Sequence, residues 1–475
     1  MKRVFTLLAV IVLGSTNLIA QRVSVFGTGT LFESLENPST GVLNKNCNTF
    51  QFNCFVPSFN FDGRLFGDAD TLLRNYALNN SKAINKIAPF SNPQKLNYGA
   101  GVATFNWLAA KILINYRNES ELLIDVSSKA YGTGDVKNEA ISLANKDNIG
   151  IGSYPNQLLT NSYGAAYTQI AVGFSTSIND LLRAGVKLGY VSGINYSDLK
   201  FTNTHMDIQQ SSSAPDENLL FLSLTGTSKL LGRTDSLEAN HFLPNFKNPG
   251  LTFSAGVSGR INDDWEASLY VKDLGFINWK DINREKIYDG RRYVNGVFVS
   301  KFTVDSIEKI LKFNDTTYTE KHFKTSLPAR LEGGIGKTFL PYLRSSLFFS
   351  MPLHYWQSDV ALINDFFYKN YHFILQAQYN THNTFQVGTH LMIKSPVCDF
   401  VFGSDNLLGT IKLAKAANVN YEYFYNSHTS ANVNFGLVFK FGKCYYSENA
   451  TYIPMDDKRK SKTTRKKVQR TKAIE

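Results

Sequence analysis

The chain has 475 residues, a formal net charge of +11 at pH 7 and 13 % aromatic residues, with 35 Phe and 24 Tyr but only 4 Trp. Ordinary hydrophobic content (43 %) and a slightly negative mean hydropathy exclude a bundle of transmembrane helices, and the aromatics exclude a disordered chain. The charge is local: residues 458–475 hold nine Lys/Arg against one acid, Glu475, so the rest is close to neutral.

The first twenty residues, MKRVFTLLAVIVLGSTNLIA, read as a cleaved signal peptide. Lys2 and Arg3 form the positive region, Val4 to Leu13 the apolar stretch, and Leu18-Ile19-Ala20 the cleavage site before Gln21. The apolar run is too short to span a bilayer comfortably, and no cysteine stands near the site for a lipid anchor. Four cysteines follow, Cys47, Cys54, Cys398 and Cys444. In an oxidising compartment they are compatible with one or two disulfides. Cys47 and Cys54 on one straight strand would be too far apart to pair. Their spacing fits no zinc site.

Residues 69–87 place Leu72, Leu73, Tyr76, Ala83, Ile84 and Ile87 at helical spacing, and 304–313 does so after a capping Asp305. Residues 359–370 carry a weaker helical pattern. Most other segments alternate with period two. In LRAGVKLGY (182–190), Leu182, Ala184, Val186, Leu188 and Tyr190 oppose Arg183 and Lys187. LTFSAGVSGRI (251–261), LRSSLFFSM (343–351) and ANVNFGLVFKFG (431–442) repeat the pattern.

Alternation alone fits a soluble sandwich or a membrane barrel. Strands of ~10 residues or more suit a tilted crossing. Tyr190, Trp265, Trp279, Tyr355 and Trp356 fall near strand ends, where an interfacial girdle would lie. Short turns at 178–180, 262–264, 340–342 and 381–383 alternate with long connections at 198–250, 280–325 and 357–370. Walking the strands up and down puts the short turns on one side and the last strand's end there too. The segments number about 15, and the even-number rule keeps about 14. The fold expected is all-β: a transmembrane antiparallel barrel over 21–445, with loop or plug helices at 69–87 and 304–313 and a disordered basic tail over 446–475.

No local pattern carries chemistry. GGIGKTF (333–339) lacks the first glycine of a phosphate-binding loop, because Leu331 stands there, and it continues a strand. The eight histidines form no HExxH pair or metal triplet, and no GxSxG elbow occurs. A non-enzymatic barrel with no catalytic residue, metal or cofactor is expected. The tail has no interleaved aromatics for base stacking, and an exported chain meets little nucleic acid, so nucleic acid is not an expected partner. Lys458, Arg459, Lys460, Arg465, Lys466 and Lys467 are candidate contacts to an anionic periplasmic layer, cell-wall carboxylates or an acidic protein. The alternative for this tail is a solvated, disordered extension with no specific role.

Four motifs in order, ENPSTGV (36–42), KDLGFINW (272–279), SLPARLEGGIG (326–336) and FGSDNLLG (402–409), resemble an uncharacterised family of Bacteroidota outer-membrane barrels, domain-of-unknown-function family 5723. That family is similar to fatty-acid-transporter-like barrels and to the PorP/SprF and PorV barrels of type IX secretion. The resemblance implies either passage of a small hydrophobic molecule or docking of secreted or surface protein partners, in a wall surrounded by outer-membrane lipid. Asn37-Pro38-Ser39 is similar to the Asn-Pro-Ala of the transporter-like barrels, with Ser39 in place of Ala, and is a candidate plug or gate. Physically the motifs are turn and bulge chemistry: Asn37-Pro38 an extended-to-turn transition, Asp273-Leu274-Gly275 a kink, Asp405-Asn406 a turn, with Trp279 an interfacial anchor.

Overall fold

The computed structural model describes residues 25–40, 48–53, 56–68, 92, 94–115, 118–138, 140, 150–156, 158–214, 217–231, 246–262, 264–280, 283–299, 318–320, 322–353, 358–380, 385–418, 430–446 and 452–454. The expected signal peptide, the helices at 69–87 and 304–313, residues Tyr355 and Trp356, and the 456–475 tail lie outside them.

Antiparallel strands close into a barrel of 14. The first wall strand comes in two pieces, β1 (Asn48–Phe52) and β2 (Ser58–Phe66), followed by β3 (Leu96–Asn115) and β4 (Ser120–Lys137). A short β5 (Gly152–Pro155) precedes β6 (Thr160–Ser177) and β7 (Leu182–Gln210); β8 (Asn218–Leu231) then leads to β9 (Pro249–Arg260) and β10 (Trp265–Trp279). After β11 (Asn283–Phe298) and β12 (Tyr318–Glu320) come β13 (Phe323–Ser326), β14 (Arg330–Leu340) and β15 (Leu343–Pro352). The wall ends with β16 (Asp359–Tyr368), β17 (Tyr371–Asn380), β18 (Phe385–Lys394), β19 (Cys398–Ser404) and β20 (Ser430–Tyr446). β20 pairs with β19 on one side and with β1 and β2 on the other, which shuts the ring. Two helices are described: α1 (Leu31–Glu36) before the wall, and α2 (Leu407–Asn418) between β19 and β20.

The alternation runs inside-out relative to a soluble protein. On β15, Leu347, Phe349 and Met351 are exposed outward, while Arg344, Ser346, Phe348 and Ser350 are buried inward. A wall surrounded by hydrocarbon has this arrangement, because every backbone group is paired around the ring and only apolar side chains meet the lipid.

Connections at 341–342, 369–370 and 395–397 lie at one end of the barrel, together with the 178–181 turn and the lower end of β20. Two expected connections are corrected. Residues 359–370 are neither helix nor outer loop; they are β16 and the tight turn Lys369-Asn370. Outward Val360, Leu362 and Phe366 meet inward Ala361 and Ile363, so both faces are apolar and the period is blurred. The segment 381–383 lies outside the described residues, but the strand ends beside it, Asn380 and Phe385, are at the opposite end from the tight turns.

The connections 198–250 and 280–325 contain strands rather than plain loops. β7 runs 29 residues, about three times the ~9–11 of a crossing. Its outer half pairs with β5 and β8; β8 pairs with β11 and β11 with β12. This outer sheet has its own core of Phe201, Met206, Ile208, Leu220, Leu222 and Tyr288.

Trp279 is also corrected. It is buried inside the barrel among Tyr131, Tyr167, Tyr196 and Ile277, and its indole N–H donates to Thr325 Oγ1 at 2.8 Å. The β-bulge at Val271/Leu274, with Asp273 in the left-handed region (φ 54°), carries the end of β10 inward. Trp265 does face outward, near the short-turn end. Cys398 is a free thiol; the side chains of Cys47, Cys54 and Cys444 lie outside the described residues.

Candidate functional site

The candidate site is the lumen and the segment that fills it, residues 25–40. Local chemistry folds this stretch. Thr30 caps α1, accepting from the Glu33 N–H. The Glu33 carboxylate, three residues into the helix, reaches back to the N–H groups of Gly27 and Gly29, both at 2.6 Å. Both glycines have positive φ, which turns their N–H groups onto one acceptor. Burial raises the Glu33 pKa, and the two backbone bonds oppose that rise. The helix stops at Asn37, whose extended backbone leads into Pro38.

Phe26, Leu31, Phe32 and Leu35 point away from this polar loop into an apolar patch on the inner wall, formed by Tyr270, Phe348, Ile363, Ile374, Met392, Val401 and Val438. Apart from the cluster around Trp279, many other inward positions are polar. Here they are apolar because the 25–40 segment rather than water covers them. Each buried Leu or Phe contributes about 1.5–3 kcal/mol.

Five wall cations hold the same segment. Arg344 (β15) donates to the Gly27 carbonyl and Lys394 (β18) to the Thr28 carbonyl. Lys111 (β3) donates to Ser34 Oγ at 3.3 Å, and Lys187 (β7) to the Leu35 carbonyl at 2.6 Å. Lys272 (β10) pairs with Glu36 at 2.7 Å and with Glu332 at 3.1 Å. Lys187 meets an unsatisfied carbonyl at the end of α1, where cations are favoured. These are charge-assisted bonds, roughly twice as strong as neutral ones.

Asn37, Pro38 and Ser39 sit inside the barrel. Asn37 Oδ1 accepts from the Ser39 N–H (3.0 Å) and hydroxyl (2.7 Å), and Ser39 Oγ lies 2.7 Å from Ser258 Oγ on β9. Gly185 and Gly256 face each other across β7 and β9 at this point. A Cβ on Gly185 would lie 2.1 Å from the Pro38 carbonyl oxygen, and one on Gly256 would lie 2.9 Å from Asn37 Oδ1. The plug backbone therefore rests directly on the wall. Ser39 uses its hydroxyl here, which an alanine could not do.

A cavity of about 210 Å³ lies at the short-turn end of the plug, lined by Phe26, Glu33, Arg344, Asp365, His372 and Lys394. On the other side of the plug, the turn after β19 folds inward. Asp405 accepts from Gln376 (2.8 Å) and Asn434 (2.9 Å), with His390 Nε2 at 3.5 Å. Burial pushes the Asp405 pKa up to about 7.

The motifs single out Asn37-Pro38-Ser39 but not the five cations or the patch. A signal existed for the patch: LFF (347–349), ALI (361–363) and FIL (373–375) are apolar on both faces of a strand. The candidate tail contacts, Lys458, Arg459, Lys460, Arg465, Lys466 and Lys467, lie outside the described residues.

The model of a family of unknown function, DUF5723, matches residues 50–445, most of the chain. The chain belongs to that family. In DUF5723 terms the match covers the wall and starts after the plug. No curated protein matches the chain. Among solved structures, a Pseudomonas aeruginosa FadL homologue is similar with TM-score 0.42 at 12 % identity, over 90 % of this chain and 100 % of that one. The Pseudomonas putida toluene transporter TodX is similar with TM-score 0.38 at 8 % identity, over 91 % and 96 %. The translocator domain of the autotransporter NalP from Neisseria meningitidis gives 0.31 at 7 %, over 84 % and 91 %. At these scores none of them assigns a residue or a cargo to this chain.

Proposed function

We propose that this is a plugged outer-membrane passage for a small hydrophobic molecule, opened when residues 25–40 leave the inner wall. The carrying observation is the apolar patch inside a polar lumen. Phe348, Ile363, Ile374, Met392, Val401 and Val438 face Phe26, Leu31, Phe32 and Leu35. If the plug moves, the patch becomes an apolar surface away from water, which suits an apolar cargo. Asn37, Pro38 and Ser39 are the proposed gate, since the Pro38-Ser39 backbone rests on Gly185 and the Asn37 and Ser39 side chains on Gly256.

The accompanying organisation is a signal peptide at 1–20 that exports the chain to the outer membrane, a barrel over 21–445 and a periplasmic tail over 446–475. The tail would attract an anionic cell-wall or protein partner through Lys458, Arg459, Lys460, Arg465, Lys466 and Lys467. If deleting 456–475 leaves co-sedimentation with cell wall unchanged at low salt, that part fails.

The test of the passage is planar-bilayer conductance, and entry of an apolar dye into liposomes, with the full chain and with residues 25–40 deleted. The deletion is expected to raise both. Unchanged values in a folded barrel would sink the reading. A second reading, a docking barrel for secreted or surface proteins, is favoured by the outer sheet with its own core. It predicts a protein partner at fixed stoichiometry and no dye entry in either form.

A further inference from the structure

The lipid-facing wall carries one charge in an unexpected place. Among the described residues of β9, β10 and β14 to β19, Lys337 is the one charged side chain on the outward face. It belongs to the GGIGKTF stretch, and its outward neighbours on β14 are Ile335 and Phe339. A lysine in mid-hydrocarbon costs about 2–4 kcal/mol, falling to about 0–1 near the interface. Lys337 lies near the short-turn end, where its stem can run along apolar surface and its ammonium can reach the headgroups.

Two features make this more than a tolerated lysine. The Lys337 ammonium stands 5.0 Å from the Trp265 ring and 5.0 Å from the Phe339 ring, so two aromatics fix its direction. The register then places two polar side chains beside it at one height: Lys337 is opposite Ser345, and Ser345 is opposite Asn364. The Ser345 hydroxyl donates to Asn364 Oδ1 at 2.7 Å, which leaves the amide nitrogen of Asn364 as a donor. Above this row the outward residues are Ile335, Leu347 and Leu362, and below it Phe339, Leu343 and Phe366.

From this we propose that Lys337, Ser345 and Asn364 form a headgroup site for an anionic phospholipid in the periplasm-facing leaflet. A phosphodiester oxygen accepts from the Lys337 ammonium and from Asn364 Nδ2. The acyl chains run up the wall along Ile335, Leu347 and Leu362. Tyr342, Tyr368 and Tyr371, exposed at the turns just below, mark the water boundary. The proposal depends on the barrel crossing a membrane and is independent of what the lumen passes.

The test is native mass spectrometry of the full-length barrel from mixed micelles holding phosphatidylglycerol and phosphatidylcholine of equal chain length. The natural sequence is expected to retain phosphatidylglycerol preferentially. Lys337→Gln should lower that preference about fivefold, and Lys337→Arg should keep most of it. Asn364→Leu, with the charge intact, should lower it about twofold to fivefold. Equal retention of the two lipids by the natural sequence would overturn the proposal. So would an unchanged preference in Lys337→Gln, or equal retention of glycerol 3-phosphate, which would mark a free-phosphate site. If Lys337→Gln fails to fold, Asn364→Leu alone decides.

Discussion

The two faces of β15 make the same kind of side chain do different work. Outward Leu347 and Phe349 are apolar because lipid surrounds them; inward Phe348 is apolar because the 25–40 segment covers it with Phe26. The outward residues are exposed in the isolated protein, whereas Phe348 is sealed against Phe26 at 5.2 Å between ring centres. An apolar strand face in a barrel thus has no meaning until its neighbour is known. Against lipid it costs little to trade one apolar residue for another, since hydrocarbon adapts. Against a helix, shape counts, because a protein interior is close-packed.

That contrast can be broken experimentally. The largest effect is expected from Phe32→Ala, which removes the most enclosed ring of the plug, lying over Gly436. Plug attachment should weaken by about 3–5 kcal/mol, read as faster amide exchange over 25–40 and a higher open probability in planar bilayers. Unchanged exchange would mean that the patch does not hold the plug. On the outer face, Leu347→Arg should cost about 2–4 kcal/mol of barrel stability, while Leu347→Val should cost little. Both are measurable by urea unfolding in liposomes. Similar costs for the two changes would show that the face does not meet lipid.

Lys187→Met should loosen the plug by about 1–3 kcal/mol, since it leaves the Leu35 carbonyl without its donor and Asp125, 3.7 Å away, without that cation. A cation-independent plug would show the same exchange in this variant.

The smallest effect concerns the inward turn at Asp405. Its folded pKa of about 7 is above the ordinary carboxylate value, so the folded turn binds a proton that the unfolded one releases. Stability should therefore be fully present below the ordinary carboxylate pKa and decline as pH rises through about 7. Asp62, Arg64, Gln376, Asn434 and His390 face this group. Exchange over 405–410, corrected for intrinsic pH dependence, should be slower at the acid end and lose most of that trend in Asp405→Asn. An opposite trend would reverse the assignment.

Much of the wall was legible in the chain. Strand alternation in LRSSLFFSM and ANVNFGLVFKFG matches the paired strands, and Asp405-Asn406 is a turn. The legible parts depend on neighbours along the chain. The misread parts depend on neighbours across the barrel. Trp279 sits at a strand end, as an interfacial anchor would, yet the bulge at Asp273 turns it inward onto Tyr196. Residues 359–370 blurred their own period because Ala361 and Ile363 join an apolar cluster with residues 25–35, more than three hundred positions earlier in the chain.

By itself the sequence determined the alternating β pattern, the barrel class through strand length and the spacing of turns, and a turn at Asn37-Pro38, because alternation and turn residues are local properties of the backbone. Tertiary structure decided that 25–40 enters the lumen, that Arg344, Lys394, Lys111, Lys187 and Lys272 converge on it from five strands, and that Lys337 stands beside Ser345 and Asn364 on the outward face. Closing the ring brings distant strands around one axis, and no spacing along the chain records which side chains meet there.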